Sequence, residues 1–479
     1  MVFSSIIFLF YFLPVFLLGY YVSGWRTGFL LLGSVAFYTW GEGAYVLLLG
    51  ALILVNYVAA IFIWGAKGER RRRIILGLAV ALDLGVLGIF KYSGFLAHNF
   101  NLVLSHPLLA EPHLRLPLGI SFFTFQLISY LMDVSRRSVR VEGDLTRFAA
   151  YILMFPHLIA GPIVRYADIR AEMHADRRGS ATLPLGVQYL IVGLCQKVLI
   201  ANVVAPLADH AFAAAPGALD VPTAWAGAIA YALQIYFDFC GYSNMAIGLA
   251  FMMGFTYPKN FNYPYVSRSI TEFWRRWHIS LSSWFRDYVY IPLGGNRGGQ
   301  ARTLRNLVIV FLLTGLWHGA AWTFVLWGAY HGGFLLIERL GLGKSLQRAP
   351  RFVGHAYAML VVLFGWVLFR SPDLPHALAY YGAMFNPGGV HAPDIDLMVL
   401  LNNETVLALV LGLLFSVPTL PWLMDRIGAR PLAPAGHLPE ALDTHRIHVL
   451  STPLLLTGLI LSLAHLAGSS LNPFLYFRF

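Results

Sequence analysis

The sequence predicts an all-helical protein that crosses a membrane many times, and three observations support this fold class. The chain has 479 residues, of which 58% are hydrophobic and 12% charged, giving more apolar surface than one soluble core could bury. Apolar stretches long enough, or nearly so, to span a bilayer as helices recur along the chain. The basic residues cluster in short loops between those stretches, as the positive-inside bias requires. We therefore expect a polytopic membrane protein.

Eight apolar stretches follow one another along the chain. The first has no basic region before it and is followed by further stretches, so we expect a retained helix and not a cleaved signal peptide. Less regular segments bring the expected number of spans to about ten to twelve. The stretches are Val2 to Val22, Tyr45 to Trp64, Ile74 to Ile89, Pro184 to Leu207, Trp225 to Phe239, Phe352 to Phe369, Val406 to Leu423 and Val449 to Leu466.

The loops predict the orientation of the chain. Basic loops are assigned to the cytoplasm: Lys67 to Arg73, Arg136 to Arg147, Arg165 to Arg178, Lys259 to Arg305, Arg339 to Arg351 and Arg426 to Arg430. Loops with few basic groups should face the periplasm: Ala97 to Leu116, Ala208 to Pro222 and Ser371 to Asn403. The N-terminus then lies outside.

One segment does not fit a simple span. Phe148 to Ile163 is short, contains Pro156, Gly161 and Pro162, and favours a re-entrant hairpin. Non-helical backbone at membrane depth is tolerated only inside protein or beside a wet cavity, so the segment suggests an internal funnel. We find no repeat and no long linker, and expect one membrane domain over residues 1–479.

Several function classes lose support. The formal charge of +11 is explained by topology, so no nucleic acid partner is expected. Cys195 and Cys240 lie in apolar segments and predict neither a disulfide nor a metal site. The chain has no GxSxG elbow, and its GGNRGG stretch lacks the Lys-Ser/Thr of a phosphate loop.

The stretch from Ile270 to Tyr290 predicts one interfacial helix, because its aromatic and aliphatic residues recur at helical spacing. Its arginines have two interpretations: an anchor that meets anionic lipid, or a platform for an anionic ligand. In the second, the phosphates of a nucleotide-like donor are held by charge-assisted hydrogen bonds from Lys259, Arg268, Arg275 and Arg276.

Three histidines stand out. His278, beside Trp277, is by pattern alone more often a structural residue than a base. His318 follows Trp317 in Thr314-Gly-Leu-Trp-His-Gly, about twelve residues beyond Asn306. At about 1.5 Å per residue it lies roughly 18 Å deep, where an ionisable group is by default functional. On one continuous helix His331 would be about 20 Å further on, so it is a secondary candidate unless the chain breaks.

A third polar group lies inside an apolar segment. Intramembrane polar residues either cap a broken helix or line a cavity, and both alternatives stay open. The group consists of Asp238, Tyr242, Ser243 and Asn244.

These motifs resemble the membrane-bound O-acyltransferase (MBOAT) family, within it the branch of the bacterial alginate O-acetyltransferases. The matching blocks fall in order over roughly residues 117–340, and the RWHISLS and WHG pair is specific. The blocks are PLGISFFTFQLISYLMDV from Pro117, FPHLIAGPIVRY from Phe155, YFDFCGYSNMAIGLAFMMGF from Tyr236, NFNYPY from Asn260, FWRRWHISLSSWFRDYVYIPLGGNR from Phe273 and GLWHGAAWTFVLWGAYHG from Gly315.

The resemblance implies a catalytic His318, a second functional residue at His278, and a ring of helices around a thinned centre with a tunnel. Trp277, Trp317, His331 and the Asp238 group would line that tunnel or support the histidines. It also implies an O-acetyltransferase of the bacterial inner membrane, with acetyl-CoA as donor substrate, no permanently bound cofactor and no metal. A periplasmic acetyltransferase partner would complete the acetylation of an exported polysaccharide such as alginate.

Two alternatives remain at this stage. The related D-alanyl branch takes its donor from a small carrier protein and supplies teichoic acids. A transporter or flippase would also explain midplane polar groups and a basic cytoplasmic face, but it favours an internal repeat, which we do not find.

Overall fold

A computed structural model of the chain describes residues 2–104, 108–112, 114–175, 182–215, 218–386, 397–426 and 452–468. Every regular element in these residues is helical, which confirms the predicted fold class. The α-helices are α1 Leu13–Val22, α2 Arg26–Glu42, α3 Tyr45–Gly65, α4 Glu69–Leu104, α5 Ile120–Ser135, α6 Leu145–Leu153, α7 Phe155–Leu158, α8 Tyr166–His174, α9 Leu183–Cys195, α10 Asn202–Ala213, α11 Val221–Met252, α12 Ile270–Arg276, α13 Ile279–Phe285, α14 Gln300–His318, α15 Trp322–Ile337, α16 Gly343–Arg348, α17 Arg351–Arg370, α18 Leu374–Phe385, α19 Leu397–Leu400, α20 Asn403–Phe415, α21 Thr419–Arg426 and α22 Thr452–Gly468.

Short turns of other helical types adjoin these helices. They are the π-helical turns Phe8–Phe12, Gln196–Ala201, Arg286–Tyr290 and Glu338–Leu342 and the 3-10 turn Pro264–Val266.

Within the described residues, four helical runs are long and apolar enough to cross a membrane: α3, α4, Leu183–Ala213 and α17. Shorter apolar helices are Phe8–Val22, Ile120–Ser135, Asn403–Phe415 and Thr452–Gly468. Much of their apolar surface faces outward, for example Leu78 on α4 at 68% exposed, as expected for side chains that meet lipid. The expected total of about ten to twelve spans stays a prediction.

Some predicted boundaries are wrong. The stretch Val406 to Leu423 breaks between α20 and α21 just before Pro418, because the residue before a proline disfavours helical backbone. The supposed loop Ser371 to Asn403 contains α18, whose first turn is capped by Asp373 accepting from the His376 N–H at 2.8 Å. Parts of six predicted segments lie outside the described residues: 105–107 with 113, 176–178, 216–217, 387–396, 427–430 and 449–451.

The chain divides into two compact units, and the first contains residues 1–190 and 245–258. In it α2 packs on α6, and α3 packs on α4 and α5. A buried hydrogen bond of 2.8 Å from Asn56 to Asp83 joins α3 to α4. The expected single domain over residues 1–479 stays a prediction.

The segment from Phe148 to Ile163 lies in this first unit. Its helical part breaks at Met154 into α6 and α7, which are too short to span a bilayer, and it is buried throughout. His157 is satisfied on both ring nitrogens, since Nε2–H donates to the Tyr151 carbonyl at 2.8 Å and the Tyr257 hydroxyl donates to Nδ1 at 2.6 Å. Its entry into the bilayer from one side stays a prediction.

The second unit contains residues 191–244 and 259–479. Its most extensive helix pairing is the hairpin of α14 and α15, and α17 packs on both α15 and α12. Both motif histidines, His278 and His318, belong to this unit. The candidate site therefore lies within this unit.

Candidate functional site

The segment that carries His278 is broken, so the predicted single helix from Ile270 to Tyr290 is wrong. Helix α12 ends at Arg276, α13 begins at Ile279, and a π-helical turn follows from Arg286. His278 lies between them in left-handed backbone, with φ 43° and ψ 56°. A non-glycine residue pays about 1–3 kcal/mol for this conformation, so contacts from elsewhere in the fold must hold the break.

Asn260 supplies those contacts. Its backbone carbonyl accepts from the Ile279 N–H at 2.9 Å. Its side-chain Oδ1 accepts from the Ser280 hydroxyl at 2.9 Å and from Nδ1–H of His278 at 3.1 Å. Its Nδ2 donates to the hydroxyl of Ser243 on α11 at 3.0 Å. One buried amide thus fixes the break and links it to α11. The sequence analysis missed this residue, although it opens the NFNYPY block.

The bond to Asn260 also selects the tautomer of His278. Since Oδ1 is an acceptor, Nδ1 carries the proton and Nε2 keeps its lone pair, an assignment inferred from the hydrogen bonds. Nε2 is buried and has no hydrogen-bond partner among the described residues. Burial lowers the pKa of His278 to about 3, so the ring is neutral at physiological pH. The result is a neutral imidazole that offers an unused acceptor.

His318 ends α14, and α15 begins only at Trp322. Two glycines let these helices meet: a Cβ on Gly315 would overlap the carbonyl oxygen of Phe324, and one on Gly328 would overlap that of Phe311. Because backbone atoms occupy these positions, any side chain would push the helices apart. The hairpin therefore holds His318 in a buried position, 6% exposed, at its closed end.

The break between α14 and α15 brings three histidines into one row. His278 lies 5.9 Å from Trp317, measured between ring centroids, and Trp317 lies 4.9 Å from His318. His318 lies 5.0 Å from Trp327, which lies 5.0 Å from His331. We call these five residues the His–Trp row. The estimate of about 20 Å between His318 and His331 held only for one continuous helix; the chain breaks between α14 and α15, which was the alternative left open.

His331 is embedded differently from the other two histidines. It is 1% exposed, and neither ring nitrogen has a hydrogen-bond partner among the described residues. The ring of Trp274 lies 5.3 Å away, and a Cβ on Gly365 would come within 2.6 Å of Nε2. These contacts give His331 the surroundings of a packing residue at the end of the row.

The predicted phosphate-binding residues are only partly brought together. Lys259 donates to Asn262 Oδ1 at 3.1 Å, and Arg276 donates to the Asn262 carbonyl at 3.0 Å while pairing with Glu272. Burial lowers the pKa of Lys259 to about 8. Arg275 is exposed on α12, and Arg268 is exposed before the helix begins. Lys259 and Arg276 therefore converge on Asn262, whereas no hydrogen bond among the described residues joins Arg268 or Arg275 to it.

Helix α11 runs unbroken through the third polar group, so the broken-helix alternative is wrong. Asp238 forms a buried ion pair with Lys197, and Asn244 donates to Gln196 at 2.8 Å. Tyr242 is fully buried. The sequence analysis missed Lys197, although a lone lysine inside an apolar stretch needs a buried carboxylate partner. Whether this group lines a tunnel stays a prediction.

Trp277 faces an aromatic cluster on the other side of the break. Its ring lies 4.8 Å from Trp366 on α17 and 5.0 Å from Phe261. Trp366 in turn donates its indole N–H to the Tyr265 hydroxyl at 3.1 Å. Trp277 thus anchors the end of α12 while the next residue joins the His–Trp row.

The chain is similar in sequence to several known proteins. The model of the membrane-bound O-acyltransferase family matches residues 118–372. A probable alginate O-acetylase AlgI of Pseudomonas putida is 42% identical over 500 residues, which cover 100% of both chains. The probable alginate O-acetylase AlgI of Pseudomonas aeruginosa is 47% identical over 404 residues, 81% of this chain and 75% of that protein. The peptidoglycan O-acetyltransferase of Helicobacter pylori is 33% identical over 521 residues, 100% of this chain and 98% of that protein.

The chain belongs to the membrane-bound O-acyltransferase family. The matched residues include the break at His278, the α14–α15 hairpin and the whole of α17. The predicted enzyme class, an O-acetyltransferase, is confirmed by these relatives, and the transporter alternative is not retained.

Proposed function

We propose that this enzyme takes an acetyl group from acetyl-CoA at the cytoplasmic face of a bacterial inner membrane and passes it across for O-acetylation of an exported polysaccharide. The observation that carries the proposal is the His–Trp row, which sets the buried imidazoles of His278 and His318 on either side of Trp317. General-base catalysis of acyl transfer needs an imidazole that can accept a proton. Aromatic rings packed around the reacting groups exclude water, which would otherwise compete for the acyl group.

The proposed reaction uses His318 as general base. The imidazole accepts the proton of the acceptor hydroxyl as the oxygen attacks the thioester carbonyl carbon. The carbon–sulfur bond breaks, and the CoA thiolate leaves and takes up a proton. His278, whose Nε2 is an acceptor, would orient the donor or the leaving thiol from the cytoplasmic side. Lys259, Arg275 and Arg276 are the proposed contacts for the donor's phosphates, with Arg268 as the fourth predicted candidate.

The names of the relatives support the proposed acceptor. Two of them are named as alginate O-acetylases and one as a peptidoglycan O-acetyltransferase, and the alginate-type relatives are the more similar. An alginate-type exopolysaccharide is therefore the proposed acceptor, reached through a periplasmic acetyltransferase partner. The second candidate is a D-alanyl transferase that takes its donor from a carrier protein. The match over the whole chain to relatives named as O-acetylases favours an acetyl group as the group transferred.

The test is release of free CoA from radiolabelled acetyl-CoA by detergent-purified protein, with alginate oligosaccharide as acceptor and a periplasmic extract as the source of the partner. We expect turnover by the wild type and a loss of roughly 10²–10⁴-fold in His318→Ala, the usual contribution of a general base. His278→Ala should also lose turnover. His98→Ala is the matched control, because His98 is exposed and pairs with Glu111 in the first unit. Equal turnover by wild type and His318→Ala would contradict the proposal.

A further inference from the structure

A groove of about 330 Å³ opens in the second unit where two apolar helices end. Helix α17, one of the helices able to cross a membrane, begins at Arg351, and the apolar helix α20 ends at Phe415. Ends of apolar helices mark the level at which hydrocarbon gives way to lipid headgroups. The groove is lined by Val266, Arg268, Arg351, Phe352, His355 and Val417.

The polar side of the groove carries uncompensated positive charge. Neither guanidinium, of Arg268 or of Arg351, has an ion-pair partner among the described residues. The nearby carboxylate of Glu272 is already engaged, since it pairs with Arg276 and accepts from the Arg268 backbone N–H at 3.0 Å. Two arginines without a carboxylate are suited to a phosphate, which guanidinium groups bind by paired hydrogen bonds.

The backbone around the groove is built closely enough to hold this arrangement. Gly354 lies against Arg268, whose carbonyl oxygen would be 2.9 Å from a Cβ at that position. At the next residue, Nδ1–H of His355 donates to the Ser267 carbonyl at 3.3 Å. These contacts hold the first turn of α17, which carries Arg351, against the segment before α12, which carries Arg268.

The other side of the groove is apolar. Phe352 is 73% exposed beside the arginines, and Val417 and Val266 complete the lining. An exposed phenylalanine next to two arginines suits a ligand that joins an anionic head to an acyl chain. Of the four residues predicted to contact the donor's phosphates, only Arg268 lines the groove, so the groove is not the contact proposed at Lys259, Arg275 and Arg276.

We propose that this groove binds the headgroup of an anionic phospholipid, with Arg268 and Arg351 on the phosphate and Phe352 against the acyl chain. The basic loops that flank it place it on the predicted cytoplasmic side, where anionic lipids attract juxtamembrane arginines. Lipid binding at the groove requires no acetyl donor, so this proposal does not depend on the proposed transfer reaction. It assigns Arg268 to lipid instead of to acetyl-CoA.

Native mass spectrometry of the full-length protein in detergent tests the proposal, with dioctanoyl phosphatidylglycerol and dioctanoyl phosphatidylcholine as probes. We expect wild type to retain phosphatidylglycerol preferentially. The double variant Arg268→Gln/Arg351→Gln should weaken that binding roughly thirtyfold, or about 2 kcal/mol for two surface arginines. Arg297→Gln/Arg302→Gln is the matched control, because these exposed arginines of the same basic stretch do not line the groove.

A second variant guards against misfolding of the double variant. Phe352→Ser leaves the charge unchanged and alters one exposed side chain, and it should also weaken phosphatidylglycerol binding. Equal binding by wild type and both variants would overturn the proposal. Displacement of phosphatidylglycerol by free CoA from wild type, with CoA retention lost in Arg268→Gln/Arg351→Gln, would overturn it in favour of a donor site.

Discussion

At the scale of single residues, Asn260 determines the tautomer and the backbone conformation of His278. It supports the left-handed backbone at the break, and it accepts the Nδ1 proton that leaves Nε2 as a hydrogen-bond acceptor. Sequence pattern identified the histidine but not this partner, because the two residues are 18 positions apart. The tautomer of a histidine is a property of its neighbour.

We expect Asn260→Ala to lower CoA release roughly hundredfold, since the imidazole loses its fixed tautomer and orientation. Asn260→Asp keeps an acceptor at Oδ1 and should retain more turnover than the alanine variant. Asn99→Ala serves as control, because Asn99 belongs to the first unit and its amide donates to the Phe95 carbonyl at 2.7 Å. Turnover of Asn260→Ala at the wild-type rate would refute the role.

The buried pair of Lys197 and Asp238 gives a second prediction at this scale. Asp238→Asn leaves a lysine charge without its partner and should destabilise the protein by about 3–5 kcal/mol. Adding Lys197→Met removes that charge, so the double variant should unfold at a higher temperature than Asp238→Asn alone. Thermal unfolding in detergent measures both. A double variant less stable than Asp238→Asn would contradict the account.

At the scale of elements, long apolar runs were predictable and breaks were not. The runs Tyr45 to Trp64 and Phe352 to Phe369 lie within one residue of α3 and α17 at each end. The break at His278 was missed because apolar residues recur at helical spacing on both sides of it, while the contacts that cause it come from Asn260. Sequence periodicity reports the face that a helix buries and is silent on distant hydrogen bonds.

The glycines of the α14–α15 hairpin allow a direct test. Gly315→Ala places a methyl group against backbone atoms of α15 and should destabilise the protein by about 1–3 kcal/mol, with loss of activity as His318 shifts. Gly333→Ala on α15 is the control, since nothing lies within 4 Å of its Cβ position, and alanine there should be neutral or mildly stabilising. Equal melting temperatures for the two variants would show that the close contact is unimportant.

At the scale of the whole molecule, the sequence predicts which loops face the cytoplasm. Both native cysteines lie within helices, so a Cys195→Ala/Cys240→Ala background allows single-cysteine labelling. An impermeant maleimide added to cells with a permeabilised outer membrane should label Pro372→Cys. It should label Gln300→Cys only after the inner membrane is broken, because that residue begins α14 inside the basic segment Lys259 to Arg305, which is predicted to be cytoplasmic. Labelling of Gln300→Cys with the inner membrane intact, and of Pro372→Cys only after it is broken, would contradict the predicted topology.

The central claim is that the site at His318 carries an acetyl group from one side of the membrane to the other. Sealed inside-out inner-membrane vesicles that contain the enzyme and enclose its periplasmic partner and polysaccharide acceptor test it most directly, with radiolabelled acetyl-CoA added outside. The account predicts label that accumulates on the enclosed acceptor in wild-type vesicles and is absent with His318→Ala at equal protein content. Label on the enclosed acceptor with His318→Ala at the wild-type rate would contradict it.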